Sequence, residues 1–420
     1  MKKFFVMSLM MPLFVMAQEK PVAEAQPVAQ EKPVIPEKPK WYDEVKLYGF
    51  LQGNMIYVTN SVYSWANPAN NYLSTPQFAV ADSIGYPALG FTAQHSRLDL
   101  DISKGTDIKV GGKLEVDFYG GQHDVNVKTR LRLGYAFLSK GGFETRIGQQ
   151  WDLFSPLNPT TNNTNANMWY TGNMGFRRGQ IQLIYKKADD VFAPMIQISA
   201  GEASKEDQLT AVTLGDDNKS CTPMLQGRVS AKILKKYEIG MYYANASFKK
   251  RYGPSKIDTT KNFSTNGFGA DITLPLHKYF EVKAEFNLGT NLANANFFAV
   301  SGGTVLDPKT NKFIDKKDMG MWFNITSKIS DHFNMIIGYG TNQNKTAEKY
   351  LEKSNVISNA TIYGDLVFPI SNGFSIAIEV QNIATKVVDQ MDNTTPTEPT
   401  IKKERINSAT IINLAGKIIF

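Results

Sequence analysis

The chain is 420 residues long, with a single cysteine, Cys221, and a net charge of +7. One cysteine excludes an internal disulfide and a zinc site built from cysteines. The basic residues are spread along the chain and form no separate block, so we expect no nucleic-acid partner.

Residues 1–17 have the pattern of a secretory signal peptide. Lys2 and Lys3 precede an apolar run that ends at Met16, and Ala17 supplies the small residue before a cleavage site. The apolar run is too short to cross a bilayer as a helix. We therefore expect this segment to be removed on export.

Residues 18–43 differ in composition from the rest of the chain. A Glu-Lys-Pro theme recurs at Glu19, Glu31 and Glu37. Recurrent proline favours extended polyproline II and prevents a long helix. We interpret this segment as a semi-rigid periplasmic linker. A tether to peptidoglycan or to a periplasmic protein is the alternative.

Residues 44–420 read as a succession of β-strands with a period of two. The clearest case is the stretch 108–119, where apolar and charged residues alternate. Its apolar positions are Ile108, Val110, Leu114, Val116 and Phe118. The same alternation occurs in soluble sandwiches and in membrane barrels, so one strand does not decide between them.

The connections between the strands distinguish the two architectures, because long and short connections alternate. The long segment 152–177 is followed by the short segment 186–190, and the long segment 202–222 by the short segment 234–237. Long extracellular loops opposite short periplasmic turns are typical of outer-membrane barrels. The pattern predicts an all-β fold: a transmembrane, antiparallel, up-and-down β-barrel of about sixteen strands with an aqueous lumen.

The last strand supports this interpretation. Ile412, Leu414, Gly416 and Ile418 form an apolar face that leads to the terminal aromatic residue Phe420. Such an ending is typical of the signal read by the barrel-assembly machinery, so we expect Phe420 to serve as the assembly signal. The residues predicted to face lipid are Val116, Phe118, Leu131, Leu133, Phe286 and Leu414.

Several stretches resemble the trimeric DcaP-like porins of Gram-negative outer membranes. They are AQHSRLDLDI (93–102), KLEVDFYGG (113–121), TRLRLGYAFL (129–138) and RIGQQWDLFSP (146–156). The stretch RRGQIQLIYK (177–186) is of the same general character as the corresponding strands of that family. The resemblance extends over residues 44–420 and is specific over about 91–186.

The resemblance implies a sixteen-stranded barrel in the outer membrane, a homotrimer and a third loop folded inward as a constriction. It also implies uptake of small polar solutes, with small organic anions such as dicarboxylates among them. Members of that family often carry an N-terminal helical coiled coil. Because this chain has a proline-rich segment there, trimer contacts would have to come from the barrel wall. The rest of the outer wall would then contact outer-membrane lipid.

The candidate constriction loop extends from Asp152 to Arg177 and is rich in Asn, Thr, Pro and Gly. Such residues hold a compact loop through side-chain to backbone bonds. Besides its two end residues, Trp169 and Tyr170 are the candidate functional residues. An ordinary surface loop is the alternative.

The period of two predicts a cationic wall on the lumen side of the strands that flank this loop. Its members are Arg97, Arg130, Arg132, Arg146 and Arg178. Guanidinium groups are always charged and bind carboxylates with two donors, so this wall would attract anions. Pairing of these arginines with Glu115, Asp117, Glu144 or Asp152 would weaken the field and is the alternative.

No catalytic or cofactor site emerges from the sequence. The four histidines do not have the spacing of metal ligands, so we expect no metal and no cofactor. His95 and Ser96 suggest a lipolytic enzyme, but neighbouring residues on a strand point to opposite faces. We expect a passive porin rather than an enzyme. An envelope-anchoring or adhesive barrel is the main alternative, and a lipolytic enzyme is the least favoured.

Overall fold

The computed structural model describes residues 44–63, 78–79, 87–120, 128–162, 168–203, 218–220, 222–252, 259–307, 310, 312–392, 394 and 399–420. The expected signal peptide, the proline-rich linker and Cys221 lie outside the described residues. Their assignments remain predictions.

In chain order the strands begin with β1 (Val45–Val58), β2 (Val62–Tyr63), β3 (Phe78–Ala79), β4 (Ala88–Thr92), β5 (Arg97–Lys104), β6 (Ile108–Asp117), β7 (Arg130–Lys140), β8 (Phe143–Trp151), β9 (Arg177–Lys186), β10 (Phe192–Gly201) and β11 (Asn218–Ser220). They continue with β12 (Met224–Ile233), β13 (Tyr237–Tyr252), β14 (Thr259–His277), β15 (Phe280–Thr290), β16 (Leu306–Asp307), β17 (Lys312–Phe313), β18 (Lys317–Ser330), β19 (Phe333–Asn344), β20 (Val356–Ser371), β21 (Phe374–Asp392) and β22 (Thr400–Ile419). Two short 3-10 helices span Leu292–Ala295 and Glu348–Tyr350. No helix in the described ranges is long and apolar enough to cross a membrane.

These strands form a closed antiparallel barrel. β4 and β5 both pair with β1, and β11 and β12 both pair with β13, so each of these pairs counts as one strand of the wall. The wall therefore has 16 strands. β1 also pairs with β22, which closes the sheet. The backbones of Gly49 and Phe420 exchange hydrogen bonds of 3.1 and 3.2 Å at this seam. The predicted sixteen-stranded barrel is confirmed.

Short turns join the strands at one end of the barrel, as the sequence predicted. They are residues 105–107, 141–142, 187–191, 234–236, 278–279, 331–332 and 372–373. In the last of them Asn372 and Gly373 have φ angles of 50° and 79°, the left-handed pair that suits a two-residue hairpin. At the other end two loops are shorter than predicted, because β13, β14, β21 and β22 continue pairing to residues 252, 259, 392 and 400.

The barrel exterior carries the expected apolar side chains. Leu131, Phe286 and Leu414 are exposed on it, and Val116 lies opposite Leu131 in the β6–β7 pair. Half of each strand's residues point outward, so these side chains meet lipid, where polar groups would be costly.

The prediction that Leu133 faces lipid is wrong, because β7 contains a bulge. Val116 pairs with Leu131, but Glu115 pairs with Leu133, so Arg132 is an extra residue. Leu133 therefore shares the inward face of Glu115 and is only 6% exposed. An extra residue shifts the following side chains to the other face of the strand. Gln149 Nε2 compensates by donating to the carbonyl oxygens of Leu131 and Arg132, at 2.9 and 3.0 Å.

Apolar clusters fill part of the barrel interior at the end with the long loops. The hairpin β2–β3 of the first loop (residues 59–87) packs on inward residues of β1, β21 and β22. The third loop (152–176) and the sixth loop (291–316) meet in a second cluster that includes Phe154, Met174, Leu292 and Phe297. The lumen is therefore narrowed by loops that fold inward.

Candidate pore constriction

The third loop follows the inner wall, which confirms the inward fold implied by the resemblance. Gln226 Oε1 on β12 accepts the backbone N–H groups of Leu153 and Phe154, at 3.1 and 3.0 Å. Eight residues after Phe154, Glu379 Oε2 on β21 accepts the N–H of Asn162, at 2.7 Å. The loop thus passes from β12 to β21 along the side of the lumen formed by β15, β18 and β20.

Glu285 on β15 anchors the middle of this path. Its Oε2 accepts the Ser155 hydroxyl at 2.6 Å and the Trp322 indole N–H at 2.9 Å, while Oε1 accepts the Leu157 N–H at 2.6 Å. The carboxylate is buried. Three donors converging on one buried carboxylate hold the loop in a single position.

Arg178 and Asp152 fix the beginning of the loop. Arg178 Nε and Nη2 donate to the two carboxylate oxygens of Asp152, and both side chains are buried. The remaining N–H groups of Arg178 donate to the carbonyl oxygens of Glu202, Ala203 and Ala295. This differs from the expected role as a contact for passing anions, because all five donors are already used. Arg178 instead joins the third loop to the sixth loop.

Trp169 and Tyr170 lie on the returning arm of the third loop and pack within it. The Trp169 ring stacks on Phe298 of the sixth loop with a centroid distance of 4.4 Å. Tyr170 meets the edge of the same ring at 5.1 Å and Phe78 at 5.0 Å. The aromatic pair therefore joins three loops, and both side chains are buried.

An ionic cluster lies across the lumen from this loop, on β5, β6 and β7. We use this name for Arg97, Glu115, Asp117, Arg130 and Arg132. Arg132 donates to Glu115 at 2.5 Å and to Asp117 at 3.0 Å. Arg130 makes a two-point contact with Asp117, at 2.9 and 2.6 Å, and Arg97 Nε lies 3.6 Å from Glu115. The pairing considered as the alternative to a free cationic wall is therefore present.

The exposure of this cluster is unequal. The side chains of Arg97 and Arg130 are 19% and 26% exposed, whereas those of Glu115 and Asp117 are 9% and 3% exposed. The carboxylates thus lie behind the guanidinium groups that reach the lumen. Lys417 on β22 adds another cation, with its ammonium 4.2 Å from the centre of the Phe50 ring. The charged surface that meets water here is mainly cationic.

The remaining predicted arginines are placed differently from the expected wall. Arg146 on β8 lies opposite Phe137 of β7. Phe137 is five residues after Arg132, so Arg146 and Arg132 are about 17 Å apart along the strand direction. Its Nε donates to Glu144 at 2.5 Å, toward the end of the barrel with the short turns. Arg177 is the first residue of β9 rather than part of the loop. It is buried, its guanidinium lies 5.1 Å from the Trp151 ring, and Nε and Nη1 have no acceptor among the described residues.

His95 and Ser96 occupy an interruption of the wall between β4 and β5. The Ser96 hydroxyl accepts the Gln52 N–H at 3.0 Å, which replaces a bond of the sheet. The His95 ring contacts the Asn54 amide, Nδ1 to Nδ2 2.8 Å, and meets the edge of Tyr119. The two side chains therefore have different partners. In the described part of the chain no group of three or more His, Cys, Asp or Glu residues could hold a metal ion.

Sequence reasoning missed the residues that hold the loop. Gln226, Glu285 and Glu379 occupy inward positions of their strands, so the period of two could have marked them as polar lumen residues. Their function was not visible, because Glu285 is 130 residues from Ser155 along the chain.

No protein-family profile and no curated protein matches this chain. The structure is similar to the outer membrane channel DcaP of Acinetobacter baumannii, with a TM-score of 0.68, 18% identity, and 90% and 97% of the two chains covered. It is also similar to an anion-selective porin from Comamonas acidovorans, with a TM-score of 0.54, 13% identity, and 90% and 99% covered.

A third similar structure is the trimer form of OmpT, an outer membrane protein of Vibrio cholerae, with a TM-score of 0.53, 10% identity, and 90% and 99% covered. These likenesses extend over almost the whole of each solved chain and show a shared fold. A closed antiparallel barrel with an apolar exterior is a fold of outer membranes.

Proposed function

We propose that this protein is a passive porin of a Gram-negative outer membrane that admits small hydrophilic solutes and favours small organic anions. The observation that supports it is the exposure of the ionic cluster, in which Arg97 and Arg130 reach the lumen and their carboxylate partners lie behind them. Cations exposed in a narrow aqueous channel raise the local concentration of anions. Because most of these cations are paired, the preference is weak to moderate.

The buried acids on the side of the lumen that the third loop follows also support a preference for anions. Glu285 and Glu379 are bonded to the third loop and are 3% and 0% exposed. From Leu153 to Phe176 the loop itself has no charged residue. The loop therefore adds no charge of its own to the lumen, and the cluster opposite presents guanidinium groups.

A homotrimer in which barrel walls meet is part of this proposal, and one of the similar structures is described as a trimer form. Enzymatic activity is not part of it. Crosslinking of the protein in outer-membrane vesicles tests the trimer, since a monomeric band alone would contradict it.

Reversal potentials across a salt gradient in planar bilayers test the function. We expect the wild type to conduct and to prefer chloride weakly. The double variant Arg130→Ala, Arg132→Ala should shift toward cations, because Asp117 loses both of its partners and Glu115 keeps only Arg97. The matched control Lys140→Gln, Lys235→Gln removes two exposed charges near the short turns and should keep the wild-type selectivity.

A protein without conductance would refute the porin and favour an anchoring barrel. Conductance with a cation preference in the wild type, or a double variant with unchanged selectivity, would refute the anion preference alone.

A further inference from the structure

A cavity of about 500 Å³ lies between the sixth loop and the seventh loop (residues 345–355), at the end of the barrel with the long loops. We call it the lysine cavity, because Lys312, Lys317 and Lys345 surround it. Phe313 and Tyr350 contribute aromatic surface to the same cavity. The three lysines take no part in the constriction described above, whereas Phe313 also packs against the apolar cluster of the third and sixth loops.

The three lysines are available for a ligand. Each is exposed, and none of the three ammonium groups has an ion pair or a hydrogen bond with another described residue. The two acids in the lining accept hydrogen bonds from neutral donors, which leave their negative charges in place. Asp307 accepts the Thr310 hydroxyl at 2.7 Å, and Asp315 accepts the Asn291 amide at 3.2 Å. The lining therefore carries three cations against two carboxylates, a surplus of one positive charge, and its ammonium groups remain available to an anion.

One of the three lysines, Lys317, points to the outside of the barrel. Lys317 occupies the same outward face of β18 as Met321, Phe323 and Ile325, which are exposed toward lipid. It lies two residues beyond Met319, the last apolar residue of that face, about 7 Å along the strand. The Lys345 N–H donates to the Lys317 carbonyl at 2.7 Å, so the two lysines are neighbours. The lysine cavity thus begins just beyond the apolar band.

We propose that the lysine cavity binds the phosphate group of a phosphorylated lipid in the outer leaflet of the membrane. Phosphates of lipid headgroups lie immediately beyond the hydrocarbon region, which is where Lys317 follows the last apolar residue of its face. Ammonium groups form charge-assisted hydrogen bonds with phosphate oxygens. This site goes beyond solute diffusion, since it faces the membrane rather than the lumen.

Binding of lipid A to the full-length refolded barrel in detergent, followed by native mass spectrometry, tests the proposal. Three probes separate the sources of phosphate: bisphosphorylated lipid A, its dephosphorylated form and inorganic phosphate. We expect the bisphosphorylated lipid to bind, the dephosphorylated lipid to bind much more weakly, and millimolar inorganic phosphate to leave most lipid bound.

The variant Lys317→Gln, Lys345→Gln should bind the bisphosphorylated lipid about thirty-fold more weakly, since each basic residue near anionic lipid contributes about fivefold. The matched control Lys328→Gln removes a lysine at the opposite end of the same strand and should bind as the wild type does. Equal binding of the two lipids, or unchanged binding by the double variant, would overturn the site. Efficient displacement by inorganic phosphate would assign it to a soluble anion instead of a lipid.

Discussion

The guanidinium of Arg178 and the carboxylate of Asp152 meet in a two-point contact inside the barrel, at 2.6 and 2.8 Å. Gln226 Nε2 donates to the same carboxylate at 2.8 Å, so two strands, β9 and β12, and the third loop share one bonded group. Both charged side chains are almost completely buried. The pair therefore fixes the loop where it leaves the wall, and it does so without screening by water.

The first prediction is that Arg178→Met destabilises the barrel by about 3–5 kcal/mol, because it leaves the Asp152 carboxylate buried without its cation. Urea unfolding of the protein in lipid vesicles, followed by tryptophan fluorescence, measures this free energy. The double variant Arg178→Met, Asp152→Asn removes both charges and should recover part of the loss. Equal losses in the single and double variants would contradict this explanation.

The second prediction concerns Glu285 and the position of the third loop. In Glu285→Gln the neutral amide cannot accept all three donors, which weakens the anchor by about 1.5–3 kcal/mol. We expect open-channel current noise to rise in single-channel recordings, because the loop then moves relative to the wall. The control Glu281→Gln lies on the same strand, where Glu281 pairs with Lys283, and should keep wild-type noise. Unchanged open-channel current noise in Glu285→Gln would show that the other contacts of the third loop hold it in position.

The barrel was predictable from the sequence because its signals are local. Alternation of apolar and polar residues gives each strand its two faces, and pairs such as Asn372–Gly373 mark tight turns. Loop lengths then give the strand count and the side on which each loop lies. These signals need no knowledge of contacts between distant residues.

The partners of the arginines could not be predicted, since they depend on register and loop path. A single extra residue at Arg132 turned Leu133 inward, and the sequence has no mark for that bulge. Arg146 appeared close to Arg132 when only strand order was considered, but the register separates them. The alternation of apolar and polar residues shows which face of the strand a side chain occupies. It does not determine the height of that side chain along the barrel axis.

The third prediction tests the compensation at the bulge of β7. Gln149→Leu removes the donor for the carbonyl oxygens of Leu131 and Arg132 on the lipid side, where water cannot replace it. We expect a loss of about 1–3 kcal/mol in the free energy of unfolding. Thr145→Val, on the same face of β8, makes a similar polar-to-apolar change away from the bulge and should have little effect. A stabilised Gln149→Leu variant would mean that the carbonyl oxygens find other partners.

The fourth prediction uses the depth of an outward residue in the membrane. Leu114 and Ile108 are exposed on the same face of β6, with Ile108 at the short-turn end and Leu114 six residues further along the strand. Arginine on the lipid face costs about 2–4 kcal/mol near the midplane and about 0–1 kcal/mol near the interface. Leu114→Arg should therefore lower the free energy of unfolding in vesicles by several times more than Ile108→Arg. The two variants add the same charge to the same strand, so only depth distinguishes them. Equal and substantial losses of unfolding free energy in the two variants would contradict a position of Leu114 deeper in the membrane than Ile108. A negligible loss in both variants would contradict the assignment of this face to lipid.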